Sequence, residues 1–276
     1  MPRMKDTGAT GLAAPASEGG LQALRREAMR CLLLGAALVL AAGVGASAAW
    51  PALWGPAYAA KALSVFALAA VLVLRGLSSH RRPDGQLHAR FGVANRVSLL
   101  RLAMLAMLAA LLGEDAAHAA HPGGIALGWA VVVWATVGAV LDAVDGPLAR
   151  RHGDVSEFGA RLDMETDAAL ILVLCLLIVQ FGQAGPWVLA AGAMRYAFVA
   201  AGRLWPWLAR PLPPSLRRKT VCVVQIVTLI IALGPSIPSG AAALIAGAGL
   251  LLLTYSFAVD VRWLIQRRHL PLENAS

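Results

Sequence analysis

Eight long apolar runs leave this chain little choice of fold. They occupy residues 31–50, 57–74, 97–112, 125–140, 168–180, 187–204, 221–233 and 241–259. Crossing the hydrocarbon core of a membrane takes about 20 predominantly apolar residues in a helix. Several of the runs reach that length once their mildly polar flanks are counted. Composition points the same way, with 59% hydrophobic and 14% charged residues, where a soluble domain carries about 25% charged. The expectation is an all-α, polytopic membrane bundle of eight helices.

A net charge of +9 could indicate a nucleic-acid partner, but its distribution argues for a membrane and against nucleic acid. Lys and Arg fall in alternate loops. One set holds Arg25, Arg26 and Arg30, then Arg75, Arg81, Arg82, Arg90, Arg96 and Arg101, then Arg150, Arg151 and Arg161. It continues through Arg203, Arg210, Arg217, Arg218 and Lys219 to Arg262, Arg267 and Arg268. The opposite loops, 51–56, 113–124, 181–186 and 234–240, contain neither residue. Basic loops stay on the cytoplasmic side, so both termini are expected there, facing anionic head groups. A bacterial inner membrane, with the chemistry on its cytoplasmic face, is the expected location.

Cys31, Cys175 and Cys222 lie in apolar segments without CxxC spacing and read as small core residues. His118 and His121 share an outer loop with no third ligand nearby. Residues 1–28, rich in Gly, Ala and Ser at their start, are expected to form a flexible cytoplasmic tail. The run at 31–50 ends in Ala46-Ser47-Ala48, which resembles a signal-peptidase site. Its leader of about 30 residues is long for that role, so a membrane helix is the better reading. The first two helices carry little polar chemistry, and from Phe91 onward polar residues collect at the cytoplasmic ends of helices. The chain therefore divides into an N-terminal transmembrane hairpin at 29–76 and a six-helix catalytic core at 90–270.

The chemistry concentrates in one run, Asp142-Ala-Val-Asp145-Gly146-Pro-Leu-Ala149-Arg150, followed by Gly159, Asp163 and Asp167. Asp142 and Asp145 are three residues apart near the end of one helix. Asp163 and Asp167 are four apart at the start of the next, so each pair shares a helical face. A short basic loop lets those two helices lie antiparallel and the four carboxylates converge. Bare, each would cost roughly 2.5–3.5 kcal/mol at the bilayer centre and less near the interface. A hard divalent cation, Mg²⁺ or Mn²⁺, offsets that cost and binds through a few carboxylates plus a substrate phosphate. Gly146 and Gly159 permit close backbone approach, Ala149 leaves room beside them, and Arg150 offers a planar fork for phosphate.

This run resembles the motif of the CDP-alcohol phosphatidyltransferase family, D-x2-D-G-x2-A-R-x8-G-x3-D-x3-D, at every fixed position. The resemblance implies metal ligation by Asp142, Asp145 and Asp163, with Asp167 as a fourth ligand or the general base. It implies contacts to the cytidine diphosphate from Gly146, Ala149, Arg150 and Gly159. Asn95-Arg-Val-Ser98-Leu-Leu-Arg101 is similar to the family's opening N-x2-T-x2-R, with Ser in place of Thr. Asn95, Ser98 and Arg101 thereby join the expected CDP-lipid contacts. The implied reaction moves a phosphatidyl group from CDP-diacylglycerol to a polar alcohol and releases CMP, a step of phospholipid biosynthesis. The family resemblance also implies a homodimer.

The acceptor is less constrained. Arg195 interrupts an apolar helix, where a charge is a functional candidate by default. Arg217, Arg218 and Lys219 precede the seventh helix. Lys219-Thr220 with Gln225 loosely resembles the K-T-x2-Q of glycerophosphate-accepting members, although Gln225 falls two residues late. Glycerol 3-phosphate and inositol phosphate are thus candidate acceptors, beside serine or another alcohol. Two rival classes also place carboxylates on membrane helices. Intramembrane Mg-dependent prenyltransferases carry them on distant helices without D-G-x2-A-R. Divalent-ion transporters place them near the midplane, often at discontinuous helices.

Overall fold

The computed structural model describes residues 18–49, 54, 57–80, 91–114, 122–152 and 156–268, with side chains except at 18, 19, 122, 123 and 144–152. The expected tail at 1–17, the loop histidines His118 and His121, and the C-terminal residues 269–276 lie outside these. Eight α-helices carry the described chain, with no strand among the described residues. They are α1 (Glu18–Ala49), α2 (Tyr58–Gly76), α3 (Val93–Ala110), α4 (Pro122–His152), α5 (Glu157–Gln180), α6 (Leu189–Leu204), α7 (Leu216–Ala232) and α8 (Ser239–Gln266). All eight apolar runs fall within or across these helices. The first helix starts earlier than expected: residues 18–28, read as tail from their composition, are helical, and Leu24 and Ala28 are buried.

Five helices, α1, α2, α3, α4 and α8, contain a stretch long and apolar enough to cross a membrane. The remaining three fall short for identifiable reasons. Helices α6 and α7 have 16 and 17 residues. Helix α5 has 24 but carries Asp163, Glu165 and Asp167 in its first half. The helix that builds the polar site is less apolar because of it.

Lipid tails are as apolar as leucine, so helices in a bilayer associate through close packing and hydrogen bonds rather than hydrophobic burial. Two faces show this. The outward side of the hairpin exposes Leu33, Leu34, Leu38, Leu68 and Leu72, side chains suited to acyl chains. On α8 the buried residues Ala242, Ala246, Gly249, Leu253, Ser256 and Asp260 recur every three or four positions and face α7. A Cβ on Gly249 would lie 2.5 Å from Thr228 Oγ1, so only glycine lets these two backbones come so close.

Helix α3 is the centre of the bundle. It packs against α1, α2, α4 and α5, and twelve of its eighteen residues are buried. That placement alters the expected relation of α4 to α5. The two helices bearing the aspartates make little direct contact among the described residues; both lean on α3. Lys61 on α2 pairs with Glu114 and donates to the Leu112 carbonyl.

Candidate active site

Three of the four motif aspartates meet around one arginine. Arg101 on α3 has a side chain only 2% exposed, a costly position for a charge without partners. Its Nη1 lies 2.6 Å from both Asp142 Oδ1 on α4 and Asp163 Oδ1 on α5. Its Nη2 donates to Asp167 Oδ1, also at 2.6 Å. The guanidinium fork suits this bridging, because its planar donors address several oxygens at once. Asp142 Oδ1 is buried and, despite the ion pair, makes no aligned hydrogen bond.

One oxygen from each of Asp142, Asp163 and Asp167 lies within 4.8 Å of the others, close enough to share a metal ion. Three carboxylates against one guanidinium leave an excess of negative charge, and hard oxygen donors fit Mg²⁺ or Mn²⁺. The residues present therefore fit a divalent cation. Asp145, Gly146, Ala149 and Arg150 continue α4 as helical backbone, with side chains outside those described. Asp145 follows Asp142 by three residues and so lies on the same helical face.

The start of α5 shapes the other end of the site. Ser156 is its N-cap, and the hydroxyl accepts the Gly159 N–H at 3.0 Å, satisfying an orphan donor of the first turn. A Cβ on Gly159 would sit 3.3 Å from both Asn95 Oδ1 and Ser156 Oγ. The glycine therefore lets α3 and α5 approach where the two motif segments meet. Asn95 Nδ2 donates to the Phe91 carbonyl one turn back. Ser98 is buried and donates to the Ala94 carbonyl at 3.2 Å.

The partners of the expected acceptor arginines are carboxylates other than the motif aspartates. Arg195 on α6 pairs with Glu165 on α5, while its Nε is buried without a hydrogen bond. Glu165 lies between Asp163 and Asp167 in sequence, so it points to another side of α5. Arg217 donates to Ser256 Oγ at 2.6 Å and to Asp260 Oδ1 at 2.5 Å, tying α7 to α8. Arg218 reaches the same Asp260 oxygen at 3.4 Å, and Lys219 is exposed.

Four further residues enter the site or its supports. Cys222 on α7 places Sγ 4.0 Å from Asp167 Oδ2, closing the cluster from a third side. Asp260, buried at 8% exposure, is a carboxylate at the end of an apolar helix, a signal that intramembrane charge alone could have raised. His80 and Glu27 belong to the segments preceding the core. Glu27 Oε2 accepts the Phe91 N–H at 3.0 Å and Oε1 pairs with Arg96 at 2.8 Å. His80 carries no spacing pattern in the sequence; only the folded chain brings it to Ser156.

Residues 91–259 match the family model for CDP-alcohol phosphatidyltransferase. Proteins named probable phosphatidylglycerophosphate synthase, from Mycobacterium tuberculosis strains CDC 1551 / Oshkosh and ATCC 25618 / H37Rv, are each 31% identical over 180 residues. The aligned stretch covers 64% of this chain and 84% of each relative. No solved structure matches the chain at a significant level.

Proposed function

The chain belongs to the CDP-alcohol phosphatidyltransferase family, and on that premise we propose the donor, the acceptor class and the residues that carry the reaction. It is an integral membrane protein that moves a phosphatidyl group from a CDP-linked lipid to an alcohol. Enzymes of this family depend on divalent metals, and the cluster of Asp142, Asp163 and Asp167 could hold one. The donor we propose is CDP-diacylglycerol. The catalytic unit comprises α3 to α8, with α1 and α2 as an appended hairpin. The positively charged loops support an orientation with the carboxylates on the cytoplasmic side of a bacterial inner membrane.

The observation that carries this reading is the meeting of Asp142, Asp163 and Asp167 on Arg101, in the motif's spacing. In the reaction, the acceptor oxygen forms a bond to the lipid-side phosphorus. The phosphoanhydride bond breaks, and CMP leaves with the bonding electrons. Asp142, Asp145 and Asp163 hold the cation, Mg²⁺ or Mn²⁺, which when bound supplies stabilisation of diphosphate charge. Asp167 accepts the hydroxyl proton. Its Oδ1 is held by Arg101, while Oδ2 lies 4.0 Å from Cys222 Sγ. Arg101 fixes the three carboxylates relative to one another, and Gly146, Ala149, Arg150, Gly159, Asn95 and Ser98 receive the CDP group.

For the acceptor we propose a phosphorylated alcohol, held by Arg195 with Arg217, Arg218 and Lys219. The name of the mycobacterial relatives supports glycerol 3-phosphate in particular, since its phosphatidylation yields phosphatidylglycerophosphate. A homodimer is the assembly we propose from the family. Purified protein given CDP-diacylglycerol, Mg²⁺ or Mn²⁺ and each candidate acceptor should release CMP, fastest with glycerol 3-phosphate. No CMP with any acceptor would overturn the reading; release with serine alone would overturn the acceptor class.

A further inference from the structure

We infer that the N-terminal hairpin is a working part of the nucleotide end of the site, with His80 as the positioning residue that fixes Asn95 and the start of α5. The inference rests on the CDP-lipid donor proposed above and adds a residue outside the matched family segment, which begins at residue 91.

His80 is fully buried directly after the 3₁₀ turn that ends α2. Its Nδ1 lies 2.9 Å from Ser156 Oγ, and its Nε2 lies 3.4 Å from Asn95 Nδ2. An amide nitrogen can only donate, so Nε2 is the accepting nitrogen and the ring proton sits on Nδ1, where Ser156 Oγ receives it. Ser156 Oγ thus accepts from His80 and from the Gly159 N–H together. Asn95 is held on the same side, since Nδ2 donates to the Phe91 carbonyl and makes a longer contact, 3.4 Å, to His80 Nε2. Its Oδ1 faces Gly159, on the side where the two motif segments meet.

One imidazole therefore joins two segments far apart in sequence, one beginning at Asn95 and the other passing through Gly159. Phe91 and Phe158 close around the ring, with centroids 6.4 Å and 5.5 Å away, and restrict its orientation. Glu27 on α1 supports the same turn by accepting the Phe91 N–H and pairing with Arg96. A hairpin that served only to anchor the chain would have no need to engage Asn95 and the N-cap of α5. The hydrogen-bond inventory gives the hairpin a share in donor binding instead.

Steady-state CMP release by the full-length protein, with donor and acceptor varied separately, tests this together with calorimetric binding of CMP. His80→Ala should raise the donor KM and weaken CMP binding about tenfold, leaving the acceptor KM within about twofold. His80→Asn, whose amide can replace the Nδ1 donor, should recover most of the loss. Ser156→Ala should reproduce the part of the donor KM rise that runs through the Nδ1 link, and the double variant should lose less than the sum of the two, because they share that link. These two also serve if His80→Ala fails to fold. Val73→Ala, a buried apolar change on the same hairpin that removes none of these hydrogen bonds, should lower the melting temperature without moving the donor KM. A donor KM unchanged in His80→Ala, His80→Asn and Ser156→Ala, or shifted equally by Val73→Ala, would overturn the inference. Absence of CMP release from the unaltered chain would instead overturn the donor reading on which it stands.

Discussion

Two arginine centres in this molecule carry opposite charge surpluses. Around Arg101, three carboxylates face one guanidinium, leaving the centre acidic. Between α7 and α8, Arg217 and Arg218 face one carboxylate among the described residues, Asp260, leaving that centre basic. A buried pair that neutralised itself would need no further ligand. Neither centre is neutral, and the sign of the surplus says what each can take up: a cation at the first, an anion at the second. The first is also the better enclosed, with Arg101 at 2% side-chain exposure against 28% for Arg217. Screening by water should therefore make substitutions at the acidic centre the more severe.

The largest expected effect is loss of chemistry at the acidic centre. Asp163→Asn or Asp167→Asn should reduce the rate of CMP release by roughly 10³-fold or more, in the range of a lost general base or charge-stabilising group. Each removes one of three mutually repelling carboxylates, so the melting temperature should hold or rise. Retained turnover in both variants would show that the carboxylates only shape the helix ends. Chelation with EDTA should likewise abolish CMP release, and Mg²⁺ or Mn²⁺ should restore it; activity that survives chelation would break the cation reading.

Arg101→Met should come next. It leaves three carboxylates uncompensated, a change expected to cost about 3–5 kcal/mol of stability. Added Mg²⁺ should raise the melting temperature of this variant more than that of the unaltered protein. Equal shifts in both would mean that cation and arginine do not address the same charge.

Smaller effects are expected at the basic centre and at Arg195, which pairs with Glu165 outside it. Arg217→Ala and Arg195→Ala should each raise the acceptor KM about tenfold while CMP binding stays intact, as for a lost charged hydrogen bond. Unchanged acceptor kinetics would reduce both residues to helix ties, to Asp260 and to Glu165. The smallest change is Asp260→Asn, which frees two guanidinium groups without removing positive charge. It should lower stability by about 1–3 kcal/mol and leave the acceptor KM within about threefold. A large rise would make Asp260 itself part of the acceptor pocket.

Much of this was legible in the sequence, for reasons that differ by residue. The eight helices follow from apolar runs that only helices can carry through lipid, and the aspartates announce themselves by spacing and cost. The start of α1 was not legible, because Gly and Ala near residue 20 resemble a tail until Leu24 and Ala28 find neighbours to pack against. The partner of Arg195 was also hidden: Glu165 sits inside the motif yet points away from it.

The sequence alone determined the fold class, the family motif and which helices bear the carboxylates, since all three depend on local spacing. Only the tertiary structure decided that α3 lies between α4 and α5, with Arg101 as the bridge. It alone brought His80 and Glu27 to the edge of the core and set Arg101 in an acidic centre and Arg217 with Arg218 in a basic one. Periodicity records which face of a helix is apolar; it does not record which helix will cover that face. A side chain's partner across the bundle is fixed by packing, and packing joins residues that no sequence interval relates.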